Sequence, residues 1–234
     1  MEFHEGNQYM KDSKMSNVCG LPIPVLNVAS LEIPDQKNGC SFILVGSTRS
    51  GKTTLLNYLF KRHFTKHISV LMSNSLQNDT YKMLKKECVT SDFFHPEILK
   101  DMYKINHDTN NNYQFMCIID DIPDKRNDSE IKRLMTIYRN SRISCFVCAQ
   151  GLTMMDKLSR GNINFIFLGR MNSDDEIERN IKAFLQSRFP TSMKMSEKIR
   201  LYRQLTEHHQ WLVLDQINNT FFITKLNETQ LIGC

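Results

Sequence analysis

No apolar run in this 234-residue chain reaches the roughly 18 residues that a membrane-spanning helix needs, so no helical span is expected. The opening stretch MEFHEGNQYMKDSK lacks the apolar centre of a secretory leader and the arginine-rich, acid-poor character of a transit peptide, so secretion is not expected either. Cysteine occurs seven times, an odd number without regular spacing, which argues against a disulfide framework. Cys40, Cys117, Cys145 and Cys148 fall in apolar, strand-like runs and read as reduced, buried thiols of an intracellular protein. The pair Cys145-x-x-Cys148 lacks the second pair that a four-ligand metal site requires, and residues three apart on a strand face opposite ways. Internal repeats are absent.

What is present points to one α/β domain with small extensions. The length suits a single core, and 41% hydrophobic residues is ordinary for a globular chain. Thirty Lys and Arg against 25 Asp and Glu leave a formal charge of +5, a mild excess compatible with a nucleic-acid partner. Residues 1–38 show no periodicity; GLPIPVL reads as extended because proline holds its neighbours out of the helical region. This segment is either disordered or docked on a neighbour.

From residue 39 strand and helix patterns alternate. Apolar strand runs fall at 40–45, 67–73, 115–120, 143–149 and 162–168. A helix is expected from Gly51, with Leu55, Leu56, Leu59 and Phe60 as its apolar stripe. Another begins near Asn127, with Glu130 in capping position and Ile131, Leu134, Met135 and Tyr138 facing the core. A third is capped by Ser173 and Glu176 and stopped by Pro190, and a fourth covers 193–207. The stretch WLVLDQINNTFFITKL reads as a β-hairpin turning at Asn218-Asn219. The expected fold is α/β, with a mostly parallel sheet flanked by helices and a C-terminal β-hairpin. The expected divisions are an extension over 1–38, a core over 39–190 and a helix–hairpin extension over 191–234.

The chemistry is concentrated in GSTRSGKTT. Gly46, Ser47, Thr48, Arg49, Ser50, Gly51, Lys52 and Thr53 fit G-x-x-x-x-G-K-[ST], with Thr54 following, between a buried strand and an amphipathic helix. Glycines let the backbone wrap round phosphate oxygens, and amide N–H groups with the helix N-terminus face the anion. Lys52 would reach the β- and γ-phosphates of ATP, and Thr53 would place its hydroxyl on Mg²⁺. The apolar strand CIIDD would supply Asp120 to the metal's water shell and Asp121 to polarise the attacking water. A strand, HISVLMS, lies between the loop and these aspartates, the pattern of the additional-strand branch of P-loop NTPases. Gln150, ending the 143–149 strand, would contact the γ-phosphate. Arg142 before that strand and Arg170 after the 162–168 strand are the two candidates for an arginine finger acting across a subunit interface.

ILVGSTRSGKTTLL, CIIDDI and SRISCFVCAQ, in this order, resemble the FtsK/HerA superfamily, and within it the genome-packaging ATPases of large eukaryotic DNA viruses and their virophages, the poxvirus type. The similarity runs over about residues 38–226. Two positions depart from the pattern: Ile143 stands where the family usually shows His, and Asp121 where relatives elsewhere in the superfamily often use Glu. The resemblance implies a homo-oligomeric ring that pulls double-stranded DNA into a capsid, at a portal-like vertex, using ATP and Mg²⁺. It places the chain in the host-cell cytoplasm or viral factory, or in the virion. Independently, Lys125, Arg126, Lys132, Arg133 and Arg139 form a basic stretch that could meet DNA phosphates, with the Asn-rich loop 106–112 as another pore candidate.

Three rivals bear on this reading. A GTPase would need Asn-Lys-x-Asp, which is absent. A small nucleoside or nucleotide kinase would show an arginine-rich lid, which is not evident. A capsid-docked scaffold that binds nucleotide without hydrolysing it would not need the full set Lys52, Thr53, Asp120 and Asp121.

Overall fold

A computed structural model describes residues 14–18, 21–33, 38–120, 129–151 and 160–226. Its elements run β1 (Lys14–Val18), β2 (Leu21–Asn27), β3 (Ser41–Val45), α1 (Lys52–His63), β4 (Ile68–Ser73), α2 (Leu84–Glu87), β5 (Val89–Ser91) and α3 (Pro96–Asp108). They continue as β6 (Phe115–Asp120), α4 (Ser129–Thr136), β7 (Ile143–Ala149), β8 (Phe165–Leu168), α5 (Asp174–Asn180), α6 (Met195–Leu205), β9 (Gln210–Asp215) and β10 (Thr220–Lys225).

The ten strands form one sheet in the order β1-β2-β10-β9-β8-β3-β7-β6-β4-β5. From β8 to β5 every neighbour is parallel. β9 turns back antiparallel on β8, β10 is antiparallel to β9, and β2 joins β10 in parallel. β7 therefore lies between β3 and β6, which is the additional-strand arrangement expected from the sequence. The first segment docks: β1 and β2 form an antiparallel hairpin continuous with the sheet. Strands from 1–38 and from 191–234 thus extend the same sheet as the core.

The mostly apolar runs β3, β6, β7 and β8 are buried along their whole length, as strands covered on both faces must be. Alternate residues feed two cores. Ile43, Val45, Cys117, Ile119, Cys145 and Val147 pack with Leu99, Leu134, Ile177 and Leu201 from α3, α4, α5 and α6. Phe42, Leu44, Ile118, Phe146 and Cys148 pack on the other side with Leu55, Leu56, Leu59 and Phe60 of α1 and Leu84 of α2. Phe42 anchors this second core, stacking on Phe146 and Phe165 with ring centroids 4.5 and 5.2 Å away. Cys145 and Cys148 sit on opposite faces, as the strand geometry requires, and burial pushes the Cys145 thiol up to about 12. Among the described residues no group of three His, Cys, Asp or Glu could hold a metal, and no helix is long and apolar enough to cross a membrane.

One capping expectation is corrected. Ser173 is the N-cap of α5, but its side chain makes no capping hydrogen bond; the first turn carries Asp174, Asp175 and Glu176 instead, which favour the positive end of the helix dipole. Glu130 is buried in α4 and accepts from the Tyr138 hydroxyl. The start near Asn127 lies outside the described residues. The hairpin turn before Thr220 falls as expected, with Asn219 at φ 51°.

Candidate functional site

The site forms where β3 gives way to α1. The chain leaves Val45 and returns as a helix at Lys52. Gly51 holds φ 93°, a left-handed conformation that glycine adopts without steric cost. Gly46 is needed for a close approach: a Cβ there would sit 2.5 Å from the Ser50 hydroxyl. The loop is pinned to both neighbouring strands. The Gly46 N–H donates to Ala149 O at the end of β7 (3.1 Å), and the Ser47 N–H to Arg170 O just past β8 (2.9 Å). The Ser47 hydroxyl accepts from the Asn172 N–H at 2.9 Å. Pinned in this way, the loop presents the first-turn amides of α1 outward, where an anion would sit. Among the described residues the buried Ser50 hydroxyl has no hydrogen-bond partner, a donor left for a ligand.

Lys52 folds back over this cradle, its Nζ donating to Gly46 O at 2.7 Å and Ser47 O at 3.1 Å. Thr53 Oγ1 donates to Asp120 Oδ2 at 3.4 Å, closing a gap of 67 residues in sequence. Asp120 is buried at the end of β6. Its Oδ2 also accepts from the Tyr81 hydroxyl at 2.7 Å. Tyr81 ends a short 3-10 turn, Asp79–Tyr81, that is tied to α1 because Asn57 Nδ2 donates to Thr80 O at 2.8 Å. Burial, then the Asp120 charge, raises the Tyr81 hydroxyl far above its usual range, so it stays a donor. Burial, then the same charge, raises the Cys148 thiol well above its ordinary value, leaving it a neutral neighbour of the carboxylate.

The other expected residues divide between two ends of the sheet. Thr48 and Arg49 are exposed on the loop, and Thr54 lies in the first turn of α1. Gln150 follows Ala149 and so stands beside Gly46. Arg170 reaches a cavity of about 230 Å³ next to the loop, shared with Arg49, Ser50, His208 and His209. Arg142 lies at the opposite end, before β7, which at roughly 3.3 Å per residue puts it on the order of 20 Å from its own loop. There its Nη1 donates to Asn111 O at 3.0 Å, and Asn106 Nδ2 donates to Tyr113 O at 2.9 Å, fastening the Asn-rich loop to the same end. Arg139 Nη1 donates to Asn162 O at 3.4 Å. Arg133 lies over the Tyr138 ring at 5.4 Å and 3.8 Å from Glu130, so its charge is engaged within the chain. Lys132 is half-buried on α4. Asp121, Lys125 and Arg126 lie outside the described residues.

Sequence reasoning missed Tyr81, Asn57, His208 and His209. All four act through contacts that only the folded chain creates. Tyr81 falls in a stretch without periodicity, and the histidines lie more than 150 residues from the loop they touch.

A glycine-wrapped loop between strand and helix, with a carboxylate-ended strand two positions away in the sheet, defines a P-loop NTPase fold of the additional-strand type. The family model of the poxvirus A32 protein matches residues 36–226, and the chain belongs to that family. A comparison with the curated proteins returns no match. Among solved structures, the fold is similar to B204, the DNA-packaging ATPase of Sulfolobus Turreted Icosahedral Virus, at TM-score 0.60 and 14% identity, over 82% of this chain and 100% of that one. B204 of Sulfolobus turreted icosahedral virus 2 in complex with AMP gives TM-score 0.59 at 16% identity, over 81% and 98%. EssC (ATPases 2 and 3) from Geobacillus thermodenitrificans gives 0.58 at 10%, over 85% of this chain and 42% of that one.

Proposed function

We propose that this chain is the ATPase of a viral genome-packaging motor, a homo-oligomeric ring that moves double-stranded DNA into a capsid. The observation that carries the reading is the meeting of Lys52, Thr53 and Asp120 at the mouth of the pinned loop. The amide cradle and the orphaned Ser50 hydroxyl suit a triphosphate. The donor set suits Mg²⁺: one hydroxyl and one carboxylate are oxygen ligands of the kind that cation takes beside substrate phosphates. Thr53 and Asp120 would hold the metal, which when bound neutralises charge on the β- and γ-oxygens. Lys52 then leaves its two carbonyls for those oxygens. Asp121 polarises the attacking water, and Gln150 faces the γ-phosphate. Lys125, Arg126, Lys132 and Arg139 form the DNA-facing basic surface, with Arg133 contributing less because Glu130 and Tyr138 hold it. The structurally similar B204 proteins, one a DNA-packaging ATPase and one a genome packaging NTPase by name, support the assignment of cargo. Work of this kind belongs in the host cytoplasm or viral factory, or at the capsid vertex.

The deciding experiment measures ATP hydrolysis with and without double-stranded DNA, together with particle mass. Stimulation by DNA in an oligomer is the expected result. A monomer indifferent to DNA that transfers phosphate to a nucleoside would make the chain a kinase. Nucleotide binding without turnover would make it a scaffold.

Tyr81 gives a narrower test. Its hydroxyl orients the carboxylate proposed to serve the metal, and removing such an outer partner usually costs ~10–100-fold in metal affinity. Tyr81→Phe is expected to shift the Mg²⁺ concentration that half-maximally enhances ATP binding upward by that order, while metal-free ATP binding stays unchanged. An unshifted Mg²⁺ titration would mean that Asp120 is held in place without Tyr81.

A further inference from the structure

The turn that joins α6 to β9 breaks a local rule of chain chemistry. Gln210 N–H donates to Glu207 O at 3.0 Å, closing a four-residue turn whose two central residues are His208 and His209, at φ 53° and 58°. Two successive left-handed residues are the signature of a turn that selects Asn-Gly or Gly-Gly. Histidine tolerates this region better than most side chains but gains nothing there. Where a local preference is overridden, a functional demand is the usual reason.

The turn faces the phosphate loop. His209 Nδ1 lies 3.3 Å from Ser50 O, and a Cβ on Gly51 would meet that same nitrogen at 3.4 Å. Both imidazoles line the cavity of about 230 Å³, together with Arg49, Ser50 and Arg170. This is below the ~300–1,000 Å³ of pockets that enclose a whole drug-sized ligand. It suits the part of a nucleotide left over once the phosphates lie on the loop amides.

The wall is rigid. The buried Tyr202 hydroxyl of α6 donates to Gly169 O at 2.9 Å, joining the helix before the turn to the residue before Arg170. Beyond the turn, β9 pairs with β8, with Leu212 opposite Leu168. The histidines and Arg170 are thus held from both sides against the loop.

We propose that His208, His209 and Arg170 form the nucleoside subsite of the nucleotide site, gripping the base and sugar of a bound nucleoside triphosphate. The subsite rests on the ATPase reading above. The imidazole and guanidinium planes offer stacking surfaces for a nucleobase. Arg170 acts in this assignment on its own subunit's nucleotide.

The test compares ATP with inorganic tripolyphosphate, which has the phosphates and no nucleoside. The variant His208→Asn with His209→Gly installs the pair that the turn prefers, so thermal stability should hold or rise. A stacked base contributes about 1–3 kcal/mol. ATP affinity is therefore expected to fall roughly 5- to 150-fold, while tripolyphosphate affinity stays the same. Unchanged ATP affinity in the folded variant would overturn the subsite and leave the phosphate loop untouched. An equal fall for both ligands would assign the histidines to phosphate and overturn it as well. So would wild-type protein that binds ATP no more tightly than tripolyphosphate, a measurement that needs no variant. Wild-type protein that binds neither would remove the ATPase reading itself.

Discussion

Lys52→Ala should abolish ATP turnover and sharply weaken ATP binding without unfolding the protein. In the structure the ammonium group makes two hydrogen bonds, both to carbonyls of its own loop. Those carbonyls face the mouth of the site, where water can replace the lost donor, so the cost to stability is small. The loop remains pinned by Ala149 O, Arg170 O and the Ser47 hydroxyl, none of which involves Lys52. What is lost is the mobile cation that follows charge onto the transferring phosphoryl group. Removing one preorganised donor to such charge costs ~10²–10³ in rate, and a full positive charge should cost at least the upper figure. Lys52→Arg should not rescue, because a planar guanidinium cannot occupy the space of an ammonium between two carbonyls 2.7 and 3.1 Å away. Calorimetric ATP binding, steady-state turnover and a melting curve separate the effects. Undiminished turnover in Lys52→Ala would end the assignment of this loop to nucleotide.

This loop was the most legible part of the molecule, and the reason is physical. Wrapping a phosphate needs backbone amides at fixed offsets, so the requirement is written in contiguous residues, Gly46 to Thr53. The buried strands were legible for a similar reason: a strand covered on both faces is mostly apolar along its length, as 115–120 and 143–149 are apart from Asp120 and Ser144. The additional-strand order could also be read, since a strand separates Lys52 from Asp120 along the chain. What escaped was everything set by juxtaposition. The hairpin of β1 and β2 has prolines at Pro22 and Pro24 and no alternation, and becomes sheet only because β10 offers it an edge. Tyr81 carries no motif; Asn57 must first hold the 3-10 turn that delivers it. The bond from the Tyr138 hydroxyl to Glu130 carries no motif either. The two candidate arginines looked equivalent in sequence, each flanking a strand. A parallel sheet makes them opposites, because one precedes its strand and the other follows.

That polarity leads to the second large effect. Arg142 cannot serve its own loop from the far end of β7, but a finger acting in trans has to stand away from its own site. Arg142→Ala should therefore lower turnover of the assembled protein by about 10³–10⁵-fold, the worth of an arginine finger, while leaving ATP affinity nearly intact. Mixing decides where it acts. An Arg142→Ala subunit keeps a sound phosphate loop, and a Lys52→Ala subunit keeps a sound Arg142. In a mixed ring some interfaces pair the first subunit's loop with the second subunit's finger, so activity should return although neither variant has any alone. Arg170→Ala mixed with Lys52→Ala should give no such return, because Arg170 shares a cavity with Arg49 and Ser50 of its own subunit's loop, onto which Lys52 folds. Recovery with Arg170→Ala and none with Arg142→Ala would reverse the assignment. The left-handed backbone of Arg142 at φ 57° and its bond to Asn111 O would then be structural, fastening the Asn-rich loop to the base of the sheet.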